Sequence, residues 1–123
     1  MNFDVRNPDT NPLHEAPAVL IGCEFSGAVR RAFRQAGLNA WSCDLLPAAD
    51  GSLFHIQGDV LDVLDEGWVL GIFHPPCTYL CSSGLHWHKR QPGRRQLTET
   101  AIEFVRCLMA ARIPRIAVEN PTL

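Results

Sequence analysis

Four clusters of residues in this sequence have types and spacings suited to chemistry. The sharpest is His74-Pro75-Pro76-Cys77. Two prolines fix the backbone and so hold the next side chain in one place. That side chain is a thiol, a good nucleophile once deprotonated. A buried structural cysteine after a proline turn would look the same. Glu119 supplies a carboxyl group which, beside a thiol, can polarise a heterocycle while sulfur adds to it. The loop Cys23-Glu24-Phe25-Ser26-Gly27 carries a small residue that lets a ligand approach the backbone at a helix start. An ordinary strand-to-helix turn also needs one glycine, and without further glycines the loop disfavours a dinucleotide. Asp44, about twenty residues past that loop, is placed to accept hydrogen bonds from ribose hydroxyls. Asp59, after Gly58, can accept from an exocyclic amine such as adenine's. Both fit equally as turn carboxylates; together they outline a nucleoside-shaped pocket.

The elements that must position these residues follow from the pattern. Residues 1–17, rich in Asn, Asp and Pro without periodicity, read as a flexible arm ahead of one α/β domain over 18–123. Ala18 to Cys23 is an apolar run with the content of a buried strand. From Ser26 to Gly37 a helix is expected, with Val29, Ala32, Phe33 and Ala36 facing inward and Arg30, Arg31 and Arg34 outward. Strands are expected at Asn39 to Cys43, Phe54 to Gln57, Val69 to Phe73 and Arg115 to Val118. His74 to about Gln96 shows no period and reads as a long loop. A helix is then expected from near Leu97 to near Arg112, with Thr100-Ala101-Ile102-Glu103 in capping-box form and a stripe of Leu97, Ala101, Phe104, Leu108 and Ala111. This order predicts an α/β, Rossmann-like fold with a mainly parallel sheet of about five strands. Ligands in such sheets sit beyond the carboxyl ends of the strands, where all the residues singled out above fall.

Composition narrows the classes. At 123 residues the chain can bury about two-thirds of its unfolded surface, enough for one core. A hydrophobic share of 46% with 20% charged residues is globular and argues against disorder. Eleven Lys plus Arg against thirteen Asp plus Glu leave a net charge of −2, so any nucleic-acid contact must be local. Five cysteines, an odd number at irregular spacing, argue for a reducing compartment rather than a disulfide framework. No apolar run reaches membrane-span length and the polar N-terminus is not a signal peptide. These features exclude a multidomain enzyme and a membrane protein.

Phe25-x-Gly27, Asp44, Gly58-Asp59, Pro75-Pro76-Cys77 and Glu119-Asn120 occur in an order and spacing that resembles S-adenosylmethionine-dependent cytosine-5 DNA methyltransferases. The small phage-type members are the most similar, through Cys23-Glu24-Phe25-Ser26-Gly27 and His74-Pro75-Pro76-Cys77-Thr78, and the likeness runs from about Val19 to Pro121. The resemblance implies a partial methyltransferase fold with S-adenosylmethionine as cofactor, held by Phe25, Ser26, Gly27, Asp44, Asp59 and Pro75. It implies that Cys77 adds to carbon 6 of cytosine, that Glu119 binds or protonates ring nitrogen 3, and that carbon 5 accepts the methyl group. A duplex substrate would require the base to be flipped out. An amino-group methyltransferase would instead want Asp or Asn before the prolines and an aromatic after them. The family loop carries further glycines where this chain has Val29 and Arg30. Larger relatives continue beyond the Glu-Asn motif with an arginine-bearing motif, a target-recognition region and a last cofactor segment, none of which precedes Leu123.

Between Glu66 and Glu99 there is no acidic residue, while Lys89, Arg90, Arg94 and Arg95 gather with Trp87. A basic, aromatic-bearing loop beside a thiol suits phosphate contact and base stacking, although a solvated charge run has the same composition. Cys77, Cys81, His86 and His88 are alternative zinc ligands, but their spacing matches no strong zinc motif, so no metal is expected. The expected partners are DNA or a cytosine nucleotide, without a membrane. An exposed sheet edge favours pairing of two copies. The expected compartment is the cytoplasm of a bacterial or phage-infected cell. The competing readings are a methyltransferase-fold binding or inhibitor protein without turnover and a zinc-stabilised nucleic-acid module.

Overall fold

The computed structural model describes residues 17–76 and 93–119. Among the described residues five strands form one sheet: β1 (Ala18–Gly22), β2 (Asn39–Asp44), β3 (His55–Gln57), β4 (Leu70–Phe73) and β5 (Arg115–Val118). Their spatial order is β3-β2-β1-β4-β5 and every pairing is parallel, so the expected mainly parallel α/β, Rossmann-like sheet is present. Central β1 is buried at all five positions, which is why Ala-Val-Leu-Ile-Gly reads as a continuous apolar run and does not alternate.

The two faces of β1 bury different partners. Ala18 and Leu20 join Trp41, Cys43, Phe73, Trp68 and Leu108 in the larger core. Val19 and Ile21 join Ala40 in the smaller one, against Val29 and Phe33 of helix α1 (Ala28–Gln35). The larger core is closed by helix α2 (Arg94–Met109) and by a single 3₁₀ turn, Val60–Val63, which the sequence pattern does not announce. Asp59 starts that turn by accepting from the Leu61 amide at 3.0 Å. Trp68 anchors its far end, its indole N–H donating to the Val63 carbonyl at 2.6 Å.

Three local expectations are corrected. Helix α1 begins at Ala28, two residues later than expected, and Arg30 is its one fully buried side chain, while Ala32 and Ala36 face solvent. The reason is that Arg30 finds polar partners inside, described below. The capping box fails as well. Helix α2 starts after Gly93, held at φ 80°, so Thr100 lies inside the helix and its hydroxyl donates to the Gln96 carbonyl at 3.0 Å. Glu103 pairs on the exposed surface with Arg106 and does not reach back to an amide. Ala111 lies beyond the helix end, although it still packs on the core.

Candidate ligand site at the strand ends

The strand ends build the site from ladder geometry outward. Past β1 the ladder runs on for a step, the Cys23 amide donating to the Cys43 carbonyl at 2.8 Å. Cys23 then takes the left-handed conformation, φ 61°, which side-chain-bearing residues rarely adopt. That turn sends Glu24 back over the start of α1. Its Oε1 accepts from the Val29 amide at 2.6 Å and from the Ser26 hydroxyl at 3.5 Å, and Ser26 Oγ accepts from the Ala28 amide at 3.4 Å. The first two amides of α1 are thus answered by the protein's own side chains, Ala28 by the Ser26 hydroxyl and Val29 by the Glu24 carboxylate.

Beyond the ends of β1, β2 and β3 lies a cavity of about 450 Å³. Cys23 and Cys43 form its floor, Asp44 and Asp59 stand on its wall, and Pro76 borders it from the β4 side. Helix α2 closes it with Leu97, Ala101 and Phe104. Asp44 Oδ1 accepts from the Leu46 amide at 2.9 Å, and Asp59 Oδ1 accepts from Leu61. Both carboxylates therefore act as turn caps with one oxygen while lining the cavity. Burial, reinforced by Asp44 and Asp59, pushes the Cys23 thiol up to about 11. Burial first, then Cys23 and the nearby carboxylates, pushes Cys43 up to about 12. Both thiols stay protonated near neutrality, which makes this floor a binding surface and not a source of thiolate.

The wall that carries Asp44 is held from behind by a directional chain of donors. Arg30 Nη1 donates to Ser42 Oγ at 2.7 Å, and Ser42 Oγ lies 2.7 Å from His55 Nδ1. His55 Nε2 lies 3.0 Å from the Leu46 carbonyl. A carbonyl only accepts, so Nε2 carries the ring proton and Nδ1 accepts from Ser42. Arg30 also pairs with Asp50, to which Arg31 Nη1 donates at 2.8 Å. The Arg31 hydrogen bond, with help from the Ser52 amide and the two positive charges, holds the Asp50 carboxyl below its ordinary value of 3.8. Because the folded value is the lower one, this contribution is complete above the unfolded value and fades as pH falls through the folded one. Acid unfolding compared between the wild type and Asp50→Asn should show a stability gap that is constant near neutrality and narrows below about pH 4. A gap of constant size down to pH 2 would overturn the assignment.

The other expected site residues are distributed unevenly. Phe25, Ser26 and Gly27 do not line the cavity; Phe25 is exposed and Ser26 serves the α1 cap. Pro75 is buried, and its neighbour Pro76 is the proline on the cavity wall. The Glu119 amide donates to the Phe73 carbonyl at 2.9 Å, which fixes this exposed residue beside the end of β4, the strand that runs into Pro75-Pro76-Cys77. Arg95 is exposed on the first turn of α2, and Arg94 opens that helix. Cys77, Trp87, Lys89 and Arg90 lie outside the described residues, as do the zinc alternatives Cys81, His86 and His88 and the Asn120 of the Glu-Asn motif. Among the described residues no cluster of three metal-binding side chains occurs, and no helix is long and apolar enough to cross a membrane. Sequence reasoning named Glu24 only as part of its loop, without the capping role it takes, and missed the α2 wall. The apolar stripe of α2 was visible, but stripes of this kind normally face a core. Compared with family models, with curated proteins and with solved structures, the chain matches none.

Proposed function

We propose that this chain is a cytosine-5 methyltransferase-type protein that transfers a methyl group from S-adenosylmethionine to cytosine, in DNA or as a free nucleotide. The observation that carries the reading is one cavity bearing Asp44 and Asp59 at the ends of neighbouring strands, with Glu119 fixed beside the strand that leads to Cys77. A volume of about 450 Å³ lies within the usual range for small-molecule sites. Its lining suits an adenosine: apolar walls for the base, and carboxylates that accept from ribose hydroxyls and an exocyclic amine. Asp44 and Asp59 would hold the cofactor, with Pro76, Leu97 and Phe104 packing on it. When bound, S-adenosylmethionine supplies an electrophilic methyl group. The protein's part is to make cytosine carbon 5 nucleophilic. The Cys77 thiolate would add to carbon 6 while Glu119 donates a hydrogen bond or proton at nitrogen 3, which moves electron density to carbon 5. Once carbon 5 carries the methyl group, loss of its proton to a base breaks the carbon–sulfur bond and frees the Cys77 sulfur.

Mass spectrometry of DNA and of deoxycytidylate after incubation with labelled S-adenosylmethionine tests this. Methylated cytosine is expected from the wild type. It should be absent with Cys77→Ala and reduced at least about a hundredfold with Glu119→Gln. Unmodified cytosine in both substrates would defeat the transferase reading. Tight cofactor binding with unmodified cytosine would assign a methyltransferase-fold binding protein instead.

A further inference from the structure

We infer that Glu24 and His74 form a subsite for an amino group, at the point between β1 and β4 where the strand order reverses. Two buried side-chain atoms among the described residues have no hydrogen-bond partner, Oε2 of Glu24 and Nδ1 of His74. Glu24 is only 7% exposed. The two residues are neighbours by topology. Gly22 lies opposite Phe73, and the His74 amide donates to the Gly22 carbonyl at 3.0 Å, so Glu24 and His74 leave adjacent central strands at the same end. From β1 the chain moves outward through β2 to β3, then crosses to β4 and β5 on the other side. That reversal is where open parallel sheets take their ligands. Neither residue lines the cavity, but Cys23, next to Glu24, and Pro76, two residues past His74, both do. The subsite therefore adjoins the cavity.

The orphaned atoms specify the ligand's chemistry. An ionised carboxylate can only accept, and Glu24 Oε1 is already engaged by the Val29 amide and the Ser26 hydroxyl. Oε2 therefore calls for a donor. An imidazole whose ring proton is on Nε2 accepts a donor at Nδ1. One small group with two N–H donors answers both atoms. Phosphate or carboxylate is the wrong class, since it brings acceptors to a carboxylate that already answers the start of α1. With Nδ1 accepting, a ligand hydroxyl has a single proton to give and answers only one of the two atoms. The amino group can come from the cofactor's amino-acid end or from cytosine itself, so the inference rests on the function proposed above.

Calorimetry on the full chain separates the sources. One pair of probes is S-adenosylmethionine and its analogue with hydroxyl in place of the α-amino group; the other is cytidine and uridine monophosphates. The wild type should favour the amino-bearing member of one pair by about tenfold or more. Glu24→Gln should erase that preference and leave affinity for the amino-free member within about twofold. His74→Phe should also lower the preference, and it decides the matter if Glu24→Gln does not fold. No preference in either pair, or a preference that both variants retain, overturns the subsite and leaves a buried water as the occupant. If neither adenosyl compound binds, the cofactor reading falls while the pyrimidine pair still decides the subsite. If nothing binds, both fall.

Discussion

Replacing Gly22 by alanine is expected to destabilise the protein by about 3 kcal/mol, the upper end of the usual overpacking cost. Nothing in the backbone demands glycine there. The demand is for space. A Cβ on Gly22 would lie 2.4 Å from Phe73 Cδ1, 2.9 Å from Phe73 Cε1 and 2.9 Å from Val60 Cγ2. Phe73 is itself fully buried, and the same ring covers Gly71, where an added Cβ would lie 2.8 Å from Cζ. The ring thus lies in a trough formed by two glycines on adjacent strands, and Val60 of the 3₁₀ turn closes on the same side of Gly22. Phe73→Ala alone should cost about 3–5 kcal/mol through the cavity it leaves. In the double variant the new methyl group partly fills that cavity, so the combined loss should fall short of the sum by at least about 1 kcal/mol. Urea unfolding of the four proteins measures the cycle. Strict additivity would show that the ring does not rest on Gly22. The functional consequence is local, because Gly22 precedes Cys23 and Phe73 precedes His74, and a shift of either strand end moves the candidate site.

The contrast between what could and could not be read from the residues follows the range of the interactions. Ala18–Gly22 was legible because burial on both faces of a parallel sheet acts on residue type alone, and Arg115–Val118, an edge strand, because half-buried Ile116 and Val118 alternate with exposed Arg115 and Ala117. Asp44 and Asp59 were legible as strand-end punctuation, and both stand on the cavity wall. Arg30 was misread because its charge implied solvent, whereas Ser42 and Asp50, twelve and twenty residues away, make an interior position tolerable. Thr100-x-x-Glu103 was misread because a short motif cannot reveal that the helix already began at Arg94. Glu24 and His74 stood in the sequence only as members of their loops, with no role of their own, for a related reason. An unanswered buried atom is a property of packing around a residue, and no spacing announces it.

Truncating Arg30 to alanine should cost about 2–5 kcal/mol through the volume it removes, whereas Arg30→Met should cost less than about 1.5 kcal/mol. The argument turns on which charge would be stranded. Arg30 is 1% exposed and Asp50 is partly open to solvent and also held by Arg31. Removing Arg30 therefore leaves no buried uncompensated charge behind. What alanine removes is the volume under Gly27, where a Cβ would lie 2.3 Å from the guanidinium, together with the tie from α1 through Ser42 to the β2–β3 connection. Methionine restores much of the volume, and Ser42 can still donate to His55. Asp50→Ala should be more damaging than Arg30→Met, because it leaves a buried guanidinium facing Ser42 with its carboxylate gone. Placing Arg30→Met in the Asp50→Ala background should then recover stability. Chemical denaturation of the four variants checks the order, and an Arg30→Met loss equal to that of Arg30→Ala would mean that the charge itself holds the fold. The same series bears on the site. Asp44 sits one residue before Leu45 and two before the Leu46 carbonyl that His55 holds, so variants that loosen this chain should weaken ligand binding at the cavity even where the core stays folded.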